Sequence, residues 1–309
     1  MAKKSDLQVK VEYYAAWLIF SSLRILPRRL AIFIGVLLGD LAYLLLGRLR
    51  QIGMTNTEIA FPEMSEAMRR KIVRGSFRSL GRQLGEISQF PKASEGSLGG
   101  MVEFPVTDED WLRYNEMKEQ GRGIIFLTPH FGGWEVLAFA SSALIGPQSY
   151  LVRRLDNPRL EKMVEEVRGK FGNQPIGKKN SALPALRLLR EGGNLGVLPD
   201  INSQRHEGVF VPFFGKPACT TAGVAALAMR TDAVAIVIGA AWDERKKKYV
   251  VHFGEVLEFE STGEREQDVK NFTARFTAEI EKLIRKSPEQ WMWIHRRWKT
   301  RPKGEPDVY

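Results

Sequence analysis

Short apolar runs, each ended by a polar residue and followed by a stretch of helical period, constrain this chain's fold most. From residue 112 onward GIIFLTPH, SYLVRRL, NLGVLPD, AVAIVIGAAW and KYVVHFGEV read as strands. Between them VLAFASSALI, NPRLEKMVEEVRGKFG, SALPALRLLREGG and TTAGVAALAMRT read as helices, the last capped by Thr220 or Thr221. A further helix is expected over residues 108–120. Alternation of this kind predicts an α/β fold, with a mixed, mainly parallel central sheet flanked by helices. Residues 101–309 are assigned to that domain, and neither an internal repeat nor a low-complexity tract interrupts it.

In such sheets ligands gather at the C-terminal ends of the strands. His130 follows IIFLTP, Asp200 follows LGVLP, and Arg153 and Arg154 close SYLV, so three strands bring polar groups to one rim. His130 opens the stretch HFGGWE, which ends at Glu135. On one continuous helix five positions rotate by about 140°, which would point His130 and Glu135 apart. Gly132 and Gly133 permit a turn that folds them together, with Glu135 in the first turn of the next helix. A carboxylate bonded to one imidazole nitrogen fixes the tautomer and stabilises the imidazolium; the other nitrogen can then take a proton from a hydroxyl. The helix N-terminus adds N–H groups suited to an oxyanion or phosphate. H-x4-E alone is a weak pattern, and its place between a strand and a helix gives it weight.

The N-terminal third is built differently. Residues 30–46, LAIFIGVLLGDLAYLLL, carry one charge, Asp40, and would reach roughly 25 Å as a helix, slightly short of a bilayer core. The aromatic-rich VEYYAAWLIFSSLRILP precedes them, and arginines at 28, 29, 48 and 50 lie on both sides, so positive charge gives no clean orientation. Residues 1–50 therefore read as a membrane-associated helical hairpin or one short span, with a buried helix pair as the alternative. No cleaved signal peptide is expected. Residues 51–100 hold a basic amphipathic helix over 65–90, either a solvated face or a face for headgroups or an acidic carrier, and then a connector.

The net charge of +10 directs attention to anionic partners: nucleic acid, an acidic membrane face, or a phosphorylated or carrier-bound substrate. One cysteine excludes an internal disulfide, and four histidines, at 130, 206, 252 and 295, argue against a multi-His metal centre. Near the C-terminus, Trp291, Trp293 and Trp298 interleave with Arg296, Arg297 and Lys299. This favours a bilayer interface over a single-stranded nucleic-acid grip, with core packing as the plain alternative.

Taken together, H-x4-E, YLVRRLDNP, Arg168 in EEVRGKFG, LPD at 198–200, VFVPFFGKPACTTAG at 209–223 and PEQWMWIHRRWKTRP at 288–302 resemble the late acyltransferases of lipid A biosynthesis. These belong to the wider glycerolipid and lysophospholipid acyltransferase group, whose hallmark is H-x4-D/E. The resemblance covers nearly the whole chain. It implies that His130 is the base that deprotonates an acceptor hydroxyl and Glu135 the partner that orients and charges it. It further implies that Arg168 steadies a phosphate, that Asp200 lines the same cleft, and that Phe213 and Phe214 lie beside the acyl chain; Arg153 would bind phosphate through its planar fork or stand as an exposed arginine. The donor would be acyl carrier protein in preference to coenzyme A, and the acceptor a phosphorylated glycolipid, a lipid A precursor. No metal or other cofactor and no nucleic acid is implied. The enzyme would sit at the inner (cytoplasmic) membrane with its active site facing the cytoplasm. One departure concerns the acceptor: many relatives carry a second acidic residue just after the LPD aspartate, where this chain reads DINSQR, with Asn202 and Arg205. Acylation of another membrane glycolipid or phospholipid, or lipid binding without chemistry, are the alternative readings.

Overall fold

The computed structural model describes residues 5–105, 109–144, 146–152, 155–177 and 181–309. In chain order its strands are β1 (Val102–Glu103), β2 (Ile124–Leu127), β3 (Ser149–Val152), β4 (Gln174–Gly177), β5 (Asn194–Val197), β6 (Gly208–Phe213), β7 (Lys216–Thr221), β8 (Val234–Asp243) and β9 (Lys248–Leu257). Seven form one sheet in the order β1-β9-β8-β2-β5-β3-β4, and β6 with β7 makes a separate hairpin. Within the large sheet every pairing is parallel except β8 with β9. The mixed, mainly parallel sheet expected from the sequence is present.

The helices are α1 (Asp6–Ile25), α2 (Arg28–Leu45), α3 (Gly47–Ala60), α4 (Glu66–Ile87), α5 (Glu95–Leu98), α6 (Glu109–Glu119), α7 (Trp134–Leu144), α8 (Pro158–Arg168), α9 (Ala182–Arg190), α10 (Gly223–Thr231) and α11 (Arg265–Lys286). Side chains alternate across a strand, so Ile125 and Leu127 of β2 enter one apolar cluster with α9, α10 and α11, while Ile124 and Phe126 enter another with α7. All four β2 residues are buried, which explains an apolar run without alternation.

One local expectation needs correction. Thr220 and Thr221 belong to β7, and α10 begins later, at Gly223, whose N–H donates to the Thr221 hydroxyl at 3.2 Å. The stretch VFVPFFGKPACTT is a tight hairpin, turning at Phe214 and Gly215, both at positive φ (49° and 73°). That is the geometry two-residue hairpin loops favour, although a phenylalanine is a costly residue to place there.

Helices α2 and α4 approach closely enough that a Cβ added at Gly35 would lie 2.2 Å from the Gly81 carbonyl oxygen, and one at Gly81 2.0 Å from that of Gly35. Gly39 and Gly85 extend the same seam, so small-xxx-small spacing on both helices sets the contact. Asp40, the lone charge in the apolar run, accepts from Arg74 at 2.7 Å and Arg78 at 3.0 Å on α4. Arg82 reaches Glu244 at 2.8 Å. The basic helix is thus both packed against α2 and ion-paired to it, with Glu244 as a further partner, and the boundary expected at residue 50 falls inside α3.

Most of the large apolar side chains that remain exposed among the described residues lie on α1 and α2, among them Leu7, Leu18, Ile25, Phe33, Leu44 and Leu45. No single helix there is long and apolar enough to cross a membrane; α2 and α3, which meet at 90°, reach that measure only as a pair.

Candidate active site

Parallel pairing of β2 with β5 aligns Leu127 with Val197, and three residues beyond each strand end stand His130 and Asp200. Adjacent parallel strands run about 4.8 Å apart, so equal offsets from an aligned pair deliver the two side chains to each other. His130 Nδ1 lies 2.8 Å from Asp200 Oδ1, and the His130 backbone N–H donates to Oδ2 at 2.7 Å. Trp291 completes the cradle, its indole N–H donating to Oδ2 at 2.8 Å.

Asp200 is 2% exposed. Burial alone would favour its neutral form, yet the imidazole, the indole donor and the backbone N–H outweigh burial and hold the carboxyl below its ordinary range. Around His130, burial disfavours the imidazolium, but Asp200, with a smaller contribution from Glu135, outweighs it and raises the imidazole above its usual value. Donation from Nδ1 to the carboxylate leaves Nε2 as the acceptor nitrogen of the neutral ring. That ring is 19% exposed.

Glu135 is placed differently from expectation. Its carboxylate does not bond the imidazole; it pairs with the Arg168 guanidinium in a two-pronged contact, Nε to Oε2 at 2.9 Å and Nη2 to Oε1. The His130–Glu135 bond inferred from the motif is thus corrected to two separate pairs. The physical reason lies in the turn: Gly132 at φ 55° bends the chain over β8, where a Cβ would meet the Ala240 carbonyl oxygen at 2.0 Å. Gly133 donates to that carbonyl at 2.9 Å. The glycines serve close backbone approach, and α7 then starts with Glu135 turned to α8. Arg168 Nη1 has no partner among the described residues.

The C-terminal segment overturns the interfacial reading of its tryptophans. Trp291, Trp293 and Trp298 are at most 1% exposed, and Arg297 is fully buried, donating to the Cys219 carbonyl at 2.9 Å and the Thr220 hydroxyl at 2.5 Å. Backbone bonds tie this segment to the His130 turn: Met292 N–H to His130 O at 3.0 Å and Gly132 N–H to Gln290 O at 2.9 Å. Phe213 and Phe214, expected beside an acyl chain, are 1% and 6% exposed and pack on Trp291, Trp293, Trp298 and Phe61. They form the aromatic floor beneath Trp291, because the hairpin tip folds inward. Arg153 lies outside the described residues.

Asn202, the departure after LPD, stitches the Asp200 loop to the same segment. Its amide donates to Thr300 Oγ1 at 3.0 Å and its carbonyl accepts from Thr300 N–H at 2.8 Å. Its N–H donates to His295 Nε2 at 3.0 Å. Burial pushes His295 down to about 4, which keeps that nitrogen an acceptor at neutral pH. No group of three or more His, Cys, Asp or Glu side chains suited to a metal ion occurs among the described residues. Sequence reasoning missed Trp291 as a donor and Asp200 as the imidazole's partner. The second was within reach, since both residues stand at the same distance past aligned strands.

The family model for bacterial lipid A biosynthesis acyltransferases matches residues 1–300. The chain belongs to that family. Among its relatives, a lipid A biosynthesis lauroyltransferase of Escherichia coli (strain K12) is 28% identical over 100% of this chain and 99% of its own length. A lipid A biosynthesis palmitoleoyltransferase of the same organism is 29% identical over 92% and 90%. A lipid A biosynthesis acyltransferase of Haemophilus influenzae (strain ATCC 51907 / DSM 11121 / KW20 / Rd) is 26% identical over 84% and 78%. The protein is therefore an acyltransferase of lipid A biosynthesis, and the rim that holds His130, Asp200, Glu135 and Arg168 is its candidate active site.

Proposed function

We propose that this lipid A acyltransferase moves a fatty acyl group from the thioester of acyl carrier protein to a hydroxyl of a phosphorylated lipid A precursor, with His130 as general base. One observation carries the reading: an imidazole bonded through Nδ1 to a buried carboxylate, with Nε2 left to accept a proton. Nε2 takes the hydroxyl proton as the oxygen attacks the thioester carbonyl. The tetrahedral adduct then expels the carrier's thiolate, which recovers the proton from the imidazolium. Asp200 stabilises that imidazolium. Glu135 adds negative potential and fixes the Arg168 fork, whose free Nη1 is available to a phosphate or to the developing oxyanion.

The net charge of +10 suits an acidic carrier, and that attraction should weaken as salt rises. The exposed apolar side chains of α1 and α2 support a monotopic seat on the cytoplasmic leaflet of the inner membrane. Expression in a strain that lacks its own late acyltransferases, followed by mass spectrometry of lipid A, tests the function. One added acyl mass is expected with the wild type and none with His130→Ala. Unchanged lipid A with folded wild-type protein would refute the acceptor assignment.

A further inference from the structure

A cleft of about 540 Å³ separates α1 from α8, and none of His130, Asp200, Glu135 and Arg168 lines it. On α1, Tyr13, Trp17, Phe20 and Arg24 recur at helical spacing and form one wall; Leu7, Val11, Leu18 and Ile25 occupy other faces of the same helix and are exposed. On α8, Arg159, Lys162, Met163 and Val167 form the opposing wall, and Lys170 stands just beyond it. Arg168, adjacent in sequence, projects from a different face of that helix to Glu135.

The cleft is amphipathic and cationic. Lys170 Nζ is held by three carbonyls, of Phe90 at 3.1 Å, Pro91 at 2.9 Å and Ala93 at 2.6 Å, so its charge is fixed in place with no carboxylate partner among the described residues. The Arg24 guanidinium has no hydrogen bond or ion pair among the described residues; that of Arg159 lies over the Tyr13 ring, 5.8 Å from its centroid, and has a weaker electrostatic attraction to Asp6, which is itself paired with Lys10. Among the described residues Glu166 is the one carboxylate lining the cleft, 4.0 Å from Lys162. Four cations against one carboxylate, beside an indole, a phenyl ring, a methionine and a valine, match a ligand with a phosphate at one end and hydrocarbon at the other.

We propose that this cleft binds the anionic phosphate headgroup of a membrane lipid, with the first methylenes of its chains on Trp17 and Phe20. The inference rests on the membrane seat of α1 and α2 proposed above, which would place the cleft at headgroup depth.

Vesicle sedimentation of the full chain separates the two claims. Wild-type protein is expected to bind phosphatidylcholine vesicles weakly, and vesicles with a fifth of their lipid as phosphatidylglycerol about tenfold or more tightly. The Arg24→Gln/Arg159→Gln variant should keep the weak binding and lose most of that preference. A control of equal charge change on α11, Arg265→Gln/Lys270→Gln, should keep it. Equal losses in both double variants would show a general charge effect and overturn the cleft. Equal wild-type binding to the two vesicles would also overturn it, while the membrane seat survives. No wild-type binding to either vesicle sinks both claims. Inorganic phosphate at matched ionic strength should leave the lipid bound; displacement would show that a free phosphate suffices and would contradict a lipid ligand.

Discussion

The two ends of the chain look alike as text and are treated in opposite ways by the fold. Both mix tryptophan, other large apolar residues and arginine. Near the N-terminus Trp17 is 47% exposed and α1 and α2 carry an apolar surface that no other element among the described residues covers; near the C-terminus Trp293 is fully buried and even Arg297 is enclosed. The difference lies in the backbone. Asn56 donates to the carbonyls of Trp293 and His295 at 2.6 and 2.7 Å, Ser76 bonds Trp291 O and Trp293 N–H, and Met292 pairs with His130. A segment whose backbone polar groups are satisfied internally can be buried whatever its side chains suggest, and a buried guanidinium is tolerated when carbonyls receive it. The C-terminal end is therefore part of the framework of the candidate site, while the N-terminal end is left to meet its surroundings.

That contrast can be attacked at several strengths. His130→Ala should lower turnover by about 10²–10⁴-fold with folding intact; the assay is acyl transfer and the control a thermal melt. Trp293→Ala should cost about 3–5 kcal/mol of stability, as a large-to-small change in a packed core does, and denaturant midpoints would show it. Trp17→Ala in the same experiment should stay within about 1 kcal/mol; a comparable loss at both positions would erase the distinction between the two ends.

Trp291→Phe keeps the ring in its aromatic nest and removes only the donor to Asp200. It should reduce kcat/KM by about tenfold, the scale of leaving one buried acceptor short of a partner. With the indole gone, the carboxylate holds the imidazolium more tightly, so the acid limb of the pH profile should move to higher pH. A loss of activity without that movement would mark Trp291 as packing alone. The smallest effect expected is from Leu18→Ser on α1: stability within about 0.5 kcal/mol, with weaker association with vesicles.

How much of this was legible follows from the same physics. The alternation of short apolar runs with helical periods identified the α/β sheet, because burial on both faces demands it. Strand order and register are not written there, and without them nothing joins His130 to Asp200, so the nearer carboxylate, Glu135, reads as the partner. The hairpin at Phe214 was hidden by a residue type rarely found at positive φ. The α2–α4 seam was readable: Gly35 with Gly39 and Gly81 with Gly85 share the spacing that lets helices touch. Burial of the C-terminal tryptophans was not, since composition does not reveal which backbone groups find partners.

The central claim is that Asp200, not Glu135, holds the catalytic imidazole. It is tested most directly by the pH dependence of kcat/KM in the wild type, Asp200→Asn and Glu135→Gln. Because the folded environment raises His130, activity in the wild type should rise with pH along a limb centred above 6.5, the ordinary value for the ring. Asp200→Asn should lose most activity and shift whatever limb remains to lower pH, while Glu135→Gln should keep the limb with a smaller downward shift. Wild-type activity and an unmoved limb in Asp200→Asn, with the limb abolished in Glu135→Gln, would contradict the assignment.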